Sequence, residues 1–132
     1  MSSEIEKKVI ERFVVKTKHD RYLTFLKNEK TRKKFTKELS HFRELRLEHF
    51  EEVKGDVRKI IKDRISHLGN IKNCYLISEN VELDRKTLDI ETALNETIGY
   101  RMGTFIVFGN ADIVYYEAEG PNERWISKPI KL

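Results

Sequence analysis

Residues Thr104 to Ala118 read T-F-I-V-F-G-N-A-D-I-V-Y-Y-E-A. This run is rich in β-branched and aromatic residues, which favour strands, and a single Gly-Asn pair divides it. Glycine and asparagine tolerate the positive φ angles that tight hairpin turns require. The stretch therefore predicts a β-hairpin with a two-residue turn at Gly109-Asn110, and this hairpin sets the fold class.

The residues around the hairpin predict further strands and one helix. Cys74 to Ser78 is a short apolar run typical of a buried strand. Asp89 is placed to cap a helix over Ile90–Ile98, which Gly99 would end. After the hairpin, Gly120-Pro121-Asn122 predicts a turn and Arg124 to Ser127 a last strand. The order of elements in this half is therefore β-α-β-β-β.

The first part of the chain shows apolar residues at three- and four-residue steps, the pattern of amphipathic helices. One helix is predicted from about Glu4 to Lys16, and a second, capped by Asp20, runs to Lys27. Asn28 or Thr31 would begin a third helix, and the pattern leaves open whether it continues to Val53.

One more helix is predicted before the β-rich part. Asp56 is a suitable N-cap for it, and Gly69 is suited to close it in the left-handed conformation. Helices that precede strands are typical of an α+β fold. We expect a single domain over residues 1–132, in which four or five helices pack on one face of a small, mainly antiparallel sheet of about four strands.

Alternation along the second hairpin strand predicts what lies on the other sheet face. Ile113, Tyr115, Glu117 and Glu119 share one side of this strand, and Val114 and Tyr116 share the other. If the helices cover one face only, the side with the carboxylates stays partly exposed. We therefore predict an aromatic and acidic binding surface that includes Tyr115, Glu117 and Glu119.

Charge is unevenly distributed along the chain. The net charge is +4. Residues 1–72 hold 20 Lys and Arg against 12 Asp and Glu, whereas residues 73–132 hold 6 against 10. The sequence thus predicts a basic helical part and a mildly acidic β-rich part.

The basic excess is densest in K-N-E-K-T-R-K-K-F-T-K, residues Lys27 to Lys37. A helix here would turn Phe35 to the core, and two short helices that meet near Asn28 would resemble a helix-turn-helix. A solvated lysine-rich helix is the simpler interpretation, and phosphate contact is the functional one. The predicted outward-facing, partner-binding residues are Lys30, Arg32, Lys33, Lys34 and Lys37.

Location and cysteine chemistry follow from composition. The charged N-terminus has no apolar signal region, and no apolar run approaches the roughly 20 residues of a membrane span. Cys74 is the single cysteine and begins an apolar run, which predicts a buried, unreactive thiol. We expect a cytoplasmic protein with no membrane partner.

Two groups of titratable residues have spacings that could form chemical sites. On a continuous helix, His41, Glu44, Glu48 and Glu52 would form one stripe, but no second metal-binding helix is apparent, so we predict a solvated stripe and no metal site. Glu117, Glu119 and Glu123 form the carboxylate cluster near a turn. Paired carboxylates act as acid and base only if their surroundings separate their pKa values, and a solvent-facing strand does not do this.

Motifs of common enzymes are missing, including G-x-S-x-G, the P-loop and C-x-x-C. The sequence therefore favours a small non-enzymatic binding or regulatory protein with no cofactor. Its basic helices would meet an acidic partner, either nucleic acid or protein, and its sheet face could mediate a homodimer. The alternatives are a protein–protein interaction module, such as an immunity- or antitoxin-like inhibitor or an assembly component, and a carboxylate-dependent hydrolase or transferase.

Overall fold

The computed structural model describes residues 2–120 and 123–129 and contains helices and strands in mixed order. Its helices are α1 Ser2–Phe13, α2 His19–Lys27, α3 Glu29–Glu38, α4 Val57–Ile65 and α5 Ile90–Thr97. Its strands are β1 Phe50–Glu52, β2 Asn73–Ser78, β3 Thr87–Asp89, β4 Thr104–Phe108, β5 Ile113–Glu117 and β6 Arg124–Ser127.

The strands form one antiparallel sheet in the order β1-β6-β5-β4-β2-β3. The α+β class and the β4-β5-β6 meander are confirmed. The prediction of about four strands was wrong, because β1 and β3 also belong to the sheet and lie at its two ends. Each is three residues long, so neither has enough residues to show alternation in the sequence.

The hairpin is confirmed, but its turn is longer than predicted. Phe108 pairs with Ile113, so residues 109–112 form a four-residue connection. Ala111 adopts a φ of 60° and is fully buried, and the Asp112 carboxylate accepts a hydrogen bond from the Asn110 N–H at 2.9 Å. This side-chain bond satisfies a backbone donor inside the wider turn, which favours it over the tight one.

Both faces of the sheet are covered, which corrects the prediction that helices pack on one face. On one face, the side chains of Phe105, Val107, Val114 and Tyr116 pack with α1, α2 and α3. On the opposite face, Leu76, Ile106 and Tyr115 lie in a second apolar cluster with α4 and α5. The result is a three-layer arrangement of helices, sheet and helices.

The predicted ends of the first two helices are partly wrong. The first helix ends at Phe13 and not near Lys16, because Val14 leaves the helix to form an antiparallel bridge with Leu45. The second helix begins at His19, and its N-cap residue, Lys18, makes no side-chain capping bond. Asp20 therefore lies in the first turn, where its negative charge interacts favourably with the positive end of the helix dipole.

The third helix begins at Glu29 after its N-cap Asn28, which is one of the two starting residues predicted, and it does not continue to Val53. It ends at Glu38, and a short 3₁₀ turn, Leu39–His41, follows. The buried Tyr116 hydroxyl donates to the Leu39 carbonyl oxygen and accepts from the Phe42 N–H at 2.9 Å. The sheet thus binds the backbone groups that a longer helix would use internally.

Two further helix caps are confirmed. The Asp56 carboxylate accepts from the Lys59 N–H, and the Asp89 carboxylate accepts from the Thr92 N–H at 3.0 Å. Gly69 has a φ of 87° but a ψ of −153°. Only glycine readily adopts this backbone conformation, but it is not the left-handed helical conformation that was predicted. The predicted turn at Gly120-Pro121-Asn122 falls partly on Pro121 and Asn122, which lie outside the described residues.

Candidate functional site

The contacts at the start of helix α3 determine which side of the helix carries its exposed lysines. The Asn28 side chain accepts a hydrogen bond from the Lys30 N–H at 3.0 Å, and its extended φ of −125° ends α2. The Thr31 hydroxyl donates to the Phe25 carbonyl oxygen at 2.9 Å, which ties the start of α3 to the end of α2. The single residue Asn28 between α2 and α3 therefore sets the rotation of α3 about its own axis. A helix-turn-helix differs, because its two helices are joined by a turn of three or four residues.

Four exposed lysines occupy one side of α3 at positions i, i+3, i+4 and i+7. None of them forms an ion pair within residues 2–120 and 123–129, so their charges are not neutralised there. We call this set the α3 lysine face; it consists of Lys30, Lys33, Lys34 and Lys37.

An aromatic ring borders the α3 lysine face. The Phe25 side chain is half-buried, with the Lys34 Nζ 5.7 Å and the Arg21 Cζ 5.2 Å from its ring centroid. Cations at these distances are attracted to the ring. The surface thus combines uncompensated positive charge with an aromatic group.

Arg32 does not belong to this surface, and its predicted exposure was wrong. The residue is 4% exposed. Its Nη1 and Nη2 donate to the two Glu6 carboxylate oxygens at 2.8 and 2.6 Å, and its Nε donates to Asp84 Oδ2 at 2.7 Å. Positions 32 and 35 share the inner side of the helix, so Arg32 points inward with Phe35.

Electrostatics hold the Arg32 guanidinium charged. Burial alone would lower the pKa of Arg32, but the hydrogen bonds and charges of Glu6 and Asp84 outweigh it and raise that pKa. The Tyr75 hydroxyl donates to Glu6 at 2.7 Å, and the Ser78 N–H donates to Asp84 at 3.0 Å. Arg32, Glu6 and Asp84 therefore form a paired cluster that links α1, α3 and the β2–β3 connection. We assign it a role in stabilising the fold.

Tyr115 and Glu117 are also buried, which corrects the predicted sheet-face surface. Tyr115 is fully covered, and Glu117 is 1% exposed. The Glu117 carboxylate accepts from the Tyr115 hydroxyl at 2.8 Å, from Arg124 Nε at 3.2 Å and from the Gly99 and Arg101 N–H groups at 3.0 and 3.1 Å. Burial, and then the Glu117 charge, raise the pKa of Tyr115.

Glu119 is exposed, as predicted, but its neighbours differ from those expected. Its carboxylate lies 3.4 Å from His41 Nε2, and the Glu123 carboxylate lies 3.9 Å from His41 Nδ1. Arg43 Nη1 lies 3.6 Å from the other Glu123 oxygen. The structure thus separates the three carboxylates by environment, since Glu117 is enclosed and the other two belong to a surface charge cluster.

The remaining candidates from the sequence are the His41, Glu44, Glu48 and Glu52 stripe and Cys74. His41 lies after the end of α3, so His41, Glu44, Glu48 and Glu52 do not share a helix, and no group of three possible metal ligands occurs in the described ranges. Cys74 is buried as predicted, and burial raises the pKa of its thiol to about 12. No helix in the described ranges is both long and apolar enough to cross a membrane.

One cationic cleft was missed by the sequence analysis. It has a volume of about 460 Å³ and is lined by residues from α1, the segment before β1 and the residues after β6. Its cations, Arg12, Arg46 and Lys128, are far apart in the sequence, so no local motif brings them together.

Comparison with known proteins gave no match to any family model, curated protein or solved structure.

Proposed function

We propose that the protein is a non-enzymatic binding or regulatory protein that contacts the phosphate backbone of a nucleic acid through the α3 lysine face. The observation that carries this proposal is the row formed by Lys30, Lys33, Lys34 and Lys37, exposed and without ion pairs in the described part of the chain. Uncompensated cations attract phosphates and release the counterions condensed on them.

The geometry favours backbone contact over base recognition. From Lys30 to Lys37 the row spans seven residue steps, or about 10 Å along the helix axis at the usual rise of about 1.5 Å per residue. Lysine acts on phosphate as a flexible point charge, and the row lacks the rigid guanidinium and amide side chains that make the most directional contacts with bases. Phe25, with the Arg21 and Lys34 cations over its ring, adds an aromatic group to the border of this surface. Binding should therefore depend weakly on base sequence.

Fluorescence anisotropy with labelled single-stranded and duplex oligonucleotides of mixed sequence tests this proposal. If all four lysines contact phosphate, the logarithm of the duplex association constant should fall against the logarithm of salt concentration with a slope of about −3 to −4. Reversing the charge of Lys33, Lys34 and Lys37 to Glu should abolish binding at 150 mM salt and leave the circular dichroism spectrum unchanged.

A matched variant controls for net charge. Lys54, Lys59 and Lys72 are exposed and lie outside α2 and α3, so replacing all three with Glu changes the net charge equally. This control should retain most of the affinity, because it leaves the α3 lysine face intact. Equal weakening by both triple variants, or binding that ignores salt, would contradict the proposal. A nuclease-resistant, stoichiometric complex with an acidic protein would instead identify a protein partner.

A further inference from the structure

The cationic cleft lies where three distant segments meet. The Arg46 N–H donates to the Phe13 carbonyl oxygen at the end of α1, and the Lys128 N–H donates to the His49 carbonyl oxygen, both at 2.8 Å. These two backbone bonds hold the segment before β1 between α1 and the residues after β6. The walls of the cleft are therefore fixed by main-chain contacts.

Arg46 is the cation that distinguishes this cleft. Its Nε donates to the Val14 carbonyl oxygen at 2.9 Å, which orients the guanidinium. Within the described residues, it has no ion pair, and its two terminal nitrogens make no hydrogen bond. Arg32, by contrast, donates from all three of its nitrogens to two carboxylates. Arg46 thus keeps a pair of donors in the geometry that matches a carboxylate or a phosphate.

The other lining groups define the ligand class. Arg12 Nη1 donates to the Asn110 and Ala111 carbonyl oxygens and lies 3.8 Å from Asp112, so its charge is only weakly compensated. Lys128 adds a third permanent cation, and Glu11 is the carboxylate in the lining. Phe13 and Pro129 contribute apolar surface. Positive charge therefore exceeds negative charge beside an apolar wall.

We propose that this cleft binds a small organic anion, with its carboxylate or phosphate on Arg46 and its apolar body against Phe13 and Pro129. The volume of about 460 Å³ lies within the range of roughly 300–1,000 Å³ that is usual for small-molecule sites. This site is independent of the α3 lysine face, since no residue of α3 lines it.

Titrations of the ¹⁵N-labelled 132-residue chain with phenyl phosphate, benzoate and benzyl alcohol test the site by NMR. The two anions should produce saturable shifts of the Arg46 and Lys128 amide signals, and the neutral alcohol should bind at least tenfold more weakly. Comparing phenyl phosphate with benzoate shows which anionic group is preferred. Inorganic phosphate measures how much the apolar body contributes, and it should bind more weakly than phenyl phosphate.

Variants separate a specific site from general attraction. Arg46→Met should raise the dissociation constant for the preferred anion at least tenfold. Arg43→Met is the matched control, because Arg43 belongs to the same connecting segment, is exposed and does not line the cleft, and it should have no effect. If Arg46→Met does not fold by circular dichroism, Lys128→Met is expected to weaken binding instead.

Two results would overturn the inference. One is equal binding of the anions and the alcohol, and the other is equal weakening by the Arg43 variant and a cleft variant. Oligonucleotide binding by Arg46→Met or Lys128→Met distinguishes this inference from the proposed function, since loss of anion binding should leave oligonucleotide affinity within twofold of the unmodified protein.

Discussion

Arg32 and Glu6 form a bidentate ion pair in the protein interior, with N–O distances of 2.8 and 2.6 Å between residues 26 positions apart. The pair has little contact with water, and Asp84 completes it from the other side of the guanidinium. Removing one member of such a pair leaves a buried charge without compensation, which is far more costly than the loss of an exposed pair.

We therefore expect Arg32→Met to lower the free energy of unfolding by about 3–5 kcal/mol. Lys33→Met is the matched control, because Lys33 is the next residue of the same helix and is exposed, and its effect should stay within about 0.5 kcal/mol. Urea denaturation followed by circular dichroism measures both values. Equal urea midpoints for the two variants would show that the buried pair does not stabilise the fold.

Gly103 should tolerate no side chain. A Cβ at this position would overlap the backbone of Leu39 and Ser40, and backbone cannot move aside as a flexible side chain can. We expect Gly103→Ala to destabilise the protein by about 3 kcal/mol, at the upper end of overpacking effects. Gly55 has a φ of +94° and open space around it, so Gly55→Ala should cost only the backbone strain, about 1–2 kcal/mol. Thermal unfolding of both variants checks this order, and a larger loss for Gly55→Ala would contradict it.

Cys74 should react with thiol reagents only after unfolding. Burial, and then the nearby Asp89 charge, raise the pKa of its thiol from 9.0 to about 12. Because the raised pKa belongs to the folded state, the thiol contributes stability that is present below pH 9 and is lost as the pH rises towards 12. Labelling with Ellman's reagent at pH 8 should be slow in the native protein and fast in urea.

The control for this labelling is an exposed thiol. A Ser66→Cys, Cys74→Ala variant places a cysteine at an exposed position and should react rapidly without denaturant. If native Cys74 reacts as quickly as that variant, the thiol is accessible and the prediction is wrong.

Asp89 should make the stability of the protein depend on acid pH. Hydrogen bonds from the Thr92 hydroxyl and then from the Thr92 N–H hold the pKa of this capping carboxylate below its ordinary value of 3.8. A lowered folded-state pKa means that the stabilisation is present above pH 3.8 and is lost as the pH falls further.

The Asp89→Asn variant isolates this effect. Asparagine also caps helices well but does not titrate. The melting temperature of the unmodified protein should exceed that of Asp89→Asn at pH 7, and the difference should shrink as the pH falls from 4 to 2. A difference that stays constant over this range would exclude a titrating role for Asp89.

The sequence correctly predicted those elements that are stabilised by contacts between residues close together in the chain. The Asn28, Asp56 and Asp89 caps act within three residues, so each can be recognised without knowing the rest of the fold. The hairpin strands were found for the same reason. Strand β1 was missed because Phe50 pairs with Ser127, and nothing near Phe50 in the sequence indicates that partner.

The candidate site was predicted only in part, since helical spacing shows which residues share a side but not what covers that side. It placed Lys30, Lys33, Lys34 and Lys37 together, but it could not anticipate that Glu6 and Asp84 would enclose Arg32. The burial of the second sheet face could have been predicted from the sequence of β5. Residues Ile113–Glu117 include four consecutive apolar or aromatic residues, and such a run is typical of a strand buried on both faces.

The short strands at the two ends of the sheet also affect how copies of this protein meet. A second molecule that tried to continue the sheet would find a backbone template of only three residues at β1 or β3, and Glu51, Glu52 and Asp89 would place carboxylates there. Short, charged templates of this kind oppose growth into fibres. The four longer, more apolar strands lie between them, so neither edge of the sheet offers a long apolar template.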